Sequence, residues 1–331
     1  MRTMIVGVMV VFVGLGATGL DAAERDIVQT DRLPAREGAR VVVDAATVDV
    51  VVRAGDVRDV EVTTELSISG VGEAKAEDWV ARHTPTMSEG DGEVRVAVTP
   101  GRDGFMGLGM FTAKARLGLV VPTYAVPDLT TTGGSISVRG DFPGASPLRL
   151  RTSTGSVEFT GGAGSIDFRS SSGDARLMVV RPLERLFART AAGDVDLDGG
   201  AREVEIDTAS GDVFLSGLSG PADVITSTGK ISVRWDRLDP SAHVRIRSTS
   251  GRIHLMLPQT VRPRGTLTTT GGSIRSDFPG LVNEAGDTIE LAGDGPLFEV
   301  ETASGEIVVS HSVGWEGTVE STPTPTPGVP D

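Results

Sequence analysis

One short stretch returns along this chain nine times, and it limits the possible folds more than anything else in the sequence. Residues 207–215 read DTASGDVFL; RTSTGSVEF, RTAAGDVDL, RSTSGRIHL and ETASGEIVV are other copies. Each copy can be anchored on one glycine: Gly134, Gly155, Gly173, Gly193, Gly211, Gly229, Gly251, Gly272 and Gly305. The spacings are then 21, 18, 20, 18, 18, 22, 21 and 33 residues. A repeat of this period is one supersecondary unit that buries its apolar face only by stacking on its neighbours. The last, longer gap holds an insertion around residues 277–294.

The columns of the alignment give the unit its form. Two residues after the glycine, all nine positions are apolar, from Ile136 and Val157 to Ile307. Four after it, eight of nine are apolar, Ser276 being the exception. Five before it, from Leu129 to Val300, all nine are apolar again. Alternation of this kind predicts strand, corner, strand, with every second side chain turned to one interior. Three before the glycine stands Ser or Thr in every copy: Thr131, Thr152, Ser170, Thr190, Thr208, Thr226, Ser248, Thr269 and Thr302. Stacked hydroxyls can bond to corner backbone, and glycine permits positive φ without a Cβ penalty. The repeat is therefore first of all a wall. One after the glycine the column varies: Ser135, Ser156, Asp174, Asp194, Asp212, Lys230, Arg252, Ser273, Glu306. Three successive acids on neighbouring rungs should repel unless something neutralises them.

The predicted fold is all-β: a β-solenoid-like stack of short parallel strands, about nine rungs, behind a small N-terminal β-rich cap with one helix. Residues 1–23 read as a signal peptide, because Arg2 precedes an apolar run over residues 4–20 with small residues near Ala22 and Ala23; cleavage at residues 17–19 and retention as an uncleaved anchor are the alternatives. Residues 24–35 read as a flexible leader, and residues 36–126 as the cap, with its helix at residues 73–83 (EAKAEDWVARH). The stack follows over residues 127–312, and residues 313–331 form a Pro/Thr-rich tail. The 331 residues include no cysteine, so disulfides, thiolate chemistry and Cys-bound zinc are excluded. A formal charge of −14 argues against a nucleic-acid footprint and against docking on anionic lipid through charge alone.

The layout resembles the DUF4097 family of bacterial adhesin-type, β-solenoid-like domains. The likeness is carried by VVVDAATVDVVVR, the helix before EVRVAV, the passage LGLVVPTYAVPDLTTTGGSISVRG, and the recurring T-x-x-G-x-V-x-L, across residues 36–312. The resemblance implies an envelope or secreted location and brings no catalytic residues with it.

Four chemistries have some footing in the sequence, each beside a plainer reading. GDVDLDGG at residues 193–200 is similar to a calcium-binding nonapeptide, but Asp follows only three of the nine glycines and the period is about twice too long. Asp174, Asp194, Asp196 and Asp212 could form a carboxylate face for polysaccharide cleavage. Sugar-stacking aromatics are scarce, however, with one Tyr and three Trp in the chain. His83, His243, His254 and His311 have no metal-ligand spacing. The apolar, glycine-rich segment at residues 104–111 is the best binding candidate, through Phe105, Met106, Leu108, Met110 and Phe111. Its plainer role is to cover an open end of the stack. Trp235 and Trp315 are expected on an outer face or at an end.

The sequence thus predicts a non-enzymatic, exported envelope or surface protein, periplasmic or secreted, with an adhesin-like binding or scaffolding role. It calls for no cofactor, no metal and no nucleic acid. An envelope protein or polysaccharide is the expected partner, with membrane contact only through the signal segment or residues 104–111. A carbohydrate-active enzyme on the acidic face and a calcium-stabilised solenoid are the alternatives.

Overall fold

The computed structural model describes residues 7–12, 23–98, 112–144 and 146–312. Two sheets of fourteen strands face each other across one continuous apolar core. Each repeat gives one strand to each sheet, and strands from successive repeats pair in parallel. The three apolar columns are the core: Leu150, Val157 and Phe159 of one rung, and Ile206, Val213 and Leu215 of another, are all buried.

The stack starts earlier than the repeat does. Arg40–Asp44 and Asp49–Gly55 form a further rung, with Val50 opposite Ile136 and Val43 opposite Leu129. Val48 then stands in the glycine column. Beyond it, Glu93–Ala97 and Thr112–Pro122 lie parallel to the same two strands. The expected boundary between cap and stack at residue 127 is therefore not a break in the core. Sequence alignment missed these rungs because they carry the apolar alternation without the T-x-x-G corner.

The stack also departs from chain order. Leu297–Ser304 pairs with His243–Ser250 on one side and Arg264–Thr269 on the other. Glu306–His311 likewise lies between Ile253–Leu257 and Ser273–Ser276. The rung of Gly305 thus sits inside the rung of Gly272. The insertion before it is an antiparallel hairpin, Gly280–Val282 and Thr288–Ala292, laid against Arg264–Thr269. Phe278, Ile289 and Leu291 are buried there and close that end of the core.

At the other end the first sheet turns antiparallel. Asp59–Val71 pairs with Thr112–Pro122 and with Ala23–Pro34. Residues 24–35, expected as a loose leader, are thus almost wholly strand: alternate residues Leu33 and Asp31 are buried against the sheet. Gly7–Phe12 pairs antiparallel with the outer edge of that strand. The helix spans Glu73–His83, as its pattern predicts. Ala76, Trp79 and His83 share its buried stripe and pack over Leu66 and Ile68. Glu73 in the first turn and Arg82 in the last complement the helix dipole. The helix ends where Thr84 returns its N–H and hydroxyl to the carbonyl of Val80, before Pro85. Arg25 ties the leading strand to the helix through Glu73 and Glu77.

The glycine column is explained by closeness of neighbouring rungs more than by φ. A Cβ on Gly155 would lie 1.9 Å from the carbonyl oxygen of Gly134, and one on Gly229 would lie 2.1 Å from that of Gly211. The same approach recurs down the column.

The corners themselves come in two kinds. In the rungs of Gly134, Gly155 and Gly173 the strand stops before the Ser/Thr column. The hydroxyls of Thr131, Thr152 and Ser170 then accept the glycine N–H at 3.0, 3.0 and 2.6 Å. In the rungs of Gly211, Gly229 and Gly251 the strand runs on through the motif, as in Val204–Ser210 and His243–Ser250. There the glycine N–H donates to the next rung, to Thr228, Ser250 and Ser304 carbonyls at 3.1, 3.2 and 3.0 Å. Thr208 and Ser248 keep buried hydroxyls with no hydrogen-bond partner, as do Thr190 and Thr302 in other rungs.

Candidate functional site

The two outer faces of the stack differ in chemistry. On the second sheet, acids and arginines stand on neighbouring positions and pair. Arg151 reaches Asp128 at 2.6 Å, Arg185 reaches Glu205 at 2.6 Å, Arg189 reaches Asp207 at 2.8 Å, and Arg245 lies between Asp223 and Glu299. Burial works to raise the Glu299 carboxyl. His243 and Arg245 beside it outweigh that and hold it below its ordinary value. Exposed pairs of this kind add little stability singly but satisfy the face internally.

The first sheet's outer face is less charged at its centre and holds a shallow groove of about 600 Å³. Met178, Phe214 and Met256 supply its apolar surface, and Met178 remains 46% exposed. Arg176, Asp196, Asp198 and Arg234 stand around them. Arg176 lies 3.9 Å from Asp196, and Arg234 donates to the Ser216 hydroxyl at 2.9 Å. Lys230 stands over the Phe214 ring at 5.2 Å. Strand alternation places these groups: apart from Lys230, which directly follows Gly229, they stand three and five residues after their glycines, outward of the buried second and fourth positions. Sequence reasoning passed over them because only the first outward column was read. Apolar exceptions in the next two columns were the available signal.

The first outward column is where the acidic trio finds its explanation. The Asp174 carboxylate accepts the Asp194 N–H at 2.9 Å, Asp194 accepts that of Asp212 at 2.7 Å, and Asp212 accepts that of Lys230 at 2.7 Å. Asp49 does the same for Ser135 at 2.8 Å. Each carboxylate is bound to the backbone of the next rung, which offsets the repulsion between like charges. Asp196 is separate from this ladder, beside Arg176. The four acids do not combine into one catalytic pair.

A second hollow, of about 740 Å³, lies where the leading strands meet the stack, between Ile27, Val28, Leu66, Ala113 and Ala115. The candidate residues Phe105, Met106, Leu108, Met110 and Phe111 lie outside the described residues, as does Trp315. Trp235 is not on an outer face. It is fully buried, donates its ring N–H to the Gly220 carbonyl at 3.0 Å and meets Phe298 edge-on. It continues the inward alternation of Ile231 and Val233, and a register shift between Ser216 and Leu218 in the neighbouring strand sets Leu218 opposite it. The histidines are dispersed: His83 stacks on Trp79, His243 pairs with Glu299, His254 meets Ser310, and His311 packs on Phe278. Among the described residues, no three acidic or histidine side chains converge on a point that could hold a metal ion. No helix among them is long and apolar enough to cross a membrane.

Several solved structures are similar in outline. One is a "putative adhesin" from Bacteroides fragilis, with 13% identity, a TM-score of 0.39, and coverage of 87% of this chain and 96% of that one. Another is a "putative lipid binding protein" from Parabacteroides distasonis, with 12% identity, a TM-score of 0.46 and the same coverage. A third, a "putative adhesin" from Parabacteroides merdae, has 12% identity, a TM-score of 0.42, and covers 86% and 96%. No functionally curated protein matches the chain. The family model described as Toastrack DUF4097 matches residues 39–310, which is the stack from its first strand to its last, and the protein belongs to that family.

Proposed function

We propose that this protein is a non-enzymatic, exported envelope or surface protein that binds a protein partner along the first sheet's outer face. The groove of Met178, Phe214 and Met256 carries this reading: it gathers apolar surface from three rungs, whereas the opposite face carries a run of ion pairs with Ile225 as a single exposed apolar side chain among them. Methionine and phenylalanine suit a protein surface better than a sugar. The aromatic platforms a polysaccharide would need are few, and Trp235 is in the core. The acidic ladder argues against hydrolytic chemistry, because its carboxylates are engaged by backbone N–H groups. The apolar segment at residues 104–111 is a second contact in this proposal. Export rests on residues 1–23.

The test is capture from fractionated envelope: membrane proteins, lipid vesicles, peptidoglycan and exopolysaccharide. Three forms are compared: the unaltered chain, one with Met178, Phe214 and Met256 changed to Ser, and one with Phe105, Met106, Leu108, Met110 and Phe111 changed to Ser. Capture of a membrane protein that the groove variant loses supports the reading. Capture of nothing, or release of sugar from the polysaccharide, overturns it. Fusion of residues 1–30 to a reporter active only outside the cytoplasm tests export separately.

A further inference from the structure

We infer that the exported protein pairs with a second copy of itself through the strand Ala23–Pro34, edge to edge and antiparallel, so that the first sheet continues from one molecule into the other. The inference rests on the export reading. Gly7–Phe12, which occupies the outer edge of that strand, lies within the apolar run of the signal segment. Cleavage near Ala22 or Ala23 removes it. The first sheet then ends on a strand of twelve residues with its outer backbone groups unpaired.

That edge is unlike the others. The remaining edge strands among the described residues are Thr86–Gly90, Ser273–Ser276 and Gly280–Val282, of five, four and three residues. Short edges are a common protection against unwanted pairing, and a long one is a template for it. The edge also accepts an antiparallel strand as it stands, since Gly7 lies opposite Asp31 and Phe12 opposite Asp26.

The sequence of the strand says which partner fits. It reads AERDIVQTDRLP, with charges clustered symmetrically about Val28. Two copies paired antiparallel about Val28 set Glu24 against Arg32 and Arg25 against Asp31, on both sides of a twofold axis. Opposite charges directly across a ladder stabilise it, and like charges do the reverse. A slip of one residue one way sets Arg25 against Arg32 and Asp26 against Asp31. A slip the other way sets Glu24 against Asp31. At the axis, Val28, now 48% exposed, meets its own copy. Arg32 already touches Glu61 at 2.9 Å yet keeps 68% of its side chain in solvent, so it can reach across the new ladder as well.

The experiment uses the chain recovered after export. Mass spectrometry fixes its first residue, and sedimentation or light scattering fixes its mass across a concentration series. The expected result is an N-terminus near residue 23 and a dimer. Arg32→Glu or Glu24→Arg alone should weaken the dimer by about tenfold or more, and Glu24→Arg with Arg32→Glu should restore it, because the pairs are re-formed with signs exchanged. A processed chain that stays monomeric at about 100 μM, well above the dissociation constants of specific dimers, overturns the pairing and leaves export standing. So does a double variant as weak as either single one. A chain that still begins at Met1 overturns the export reading, and the pairing falls with it.

Discussion

The corner at Thr152–Gly155 and the corner at Thr208–Gly211 are written in nearly the same letters, TSTG and TASG, but are hydrogen-bonded differently. In the first, the threonine hydroxyl accepts the glycine N–H within the corner. In the second, the glycine N–H goes to the neighbouring rung, and the hydroxyl of Thr208 is buried without a partner. One local motif thus serves two solutions, and the neighbouring backbone decides between them. Where a strand continues through the motif, inter-rung pairing takes the donor. Where it stops, the side chain does.

The comparison can be broken first at what both corners share. Gly155→Ala and Gly229→Ala each drive a Cβ into the carbonyl of the rung before. Each should cost more than about 3 kcal/mol, since backbone itself must move. Urea unfolding measures this, and a mild effect at Gly229 alone would show that the later corners are looser. The sharper contrast is between threonines. Thr152→Val leaves the Gly155 N–H without its acceptor and should cost about 1–2 kcal/mol. Thr208→Val removes a hydroxyl that bonds to nothing and should fall within about 0.5 kcal/mol of the parent, or stabilise. Equal losses on denaturation would erase the distinction. Asp194→Ala should cost a few tenths to about 1 kcal/mol by freeing the Asp212 N–H at an exposed edge, while Asp194→Asn keeps an acceptor and should stay near the parent.

The smallest effect belongs to the charged outer face. Glu299 has its carboxyl lowered from an ordinary 4.5, so its contribution is present above that pH and is lost as pH falls through the lowered value. Glu299→Gln should leave a thermal midpoint that falls slightly less than the parent's as the buffer is acidified from about pH 6 to pH 3.5, a range that brackets the ordinary glutamate value.

These contrasts also show how far the sequence can be read. The apolar columns from Leu129 to Val309 and the helix at Glu73–His83 were legible, because period and burial are properties of the segment itself. The rungs without glycine, at Arg40–Gly55 and beyond, were not, because only their register against Ile136 and Leu129 reveals them. The acidic trio was noticed as a conflict, yet its resolution needs the N–H of another rung. The groove needed three rungs side by side before Met178, Phe214 and Met256 could be seen as one surface.

The position of the last rung bears on how the molecule is made. A chain folding from its N-terminus can lay down rungs in order from Val126–Thr130 and Ile136–Phe142 as far as His243–Ser250 and Ile253–Leu257. Arg264–Thr269 and Ser273–Ser276 come next, but the strands they finally rest on are not yet synthesised. They must wait, or dock on the rung of Gly251 and be displaced when residues 297–311 arrive. Completion is therefore an event of the C-terminus. A chain cut short at residue 296 would lose more than one rung, because Arg264–Thr269, which carries the closing hairpin, would have lost the strand that joins it to the stack.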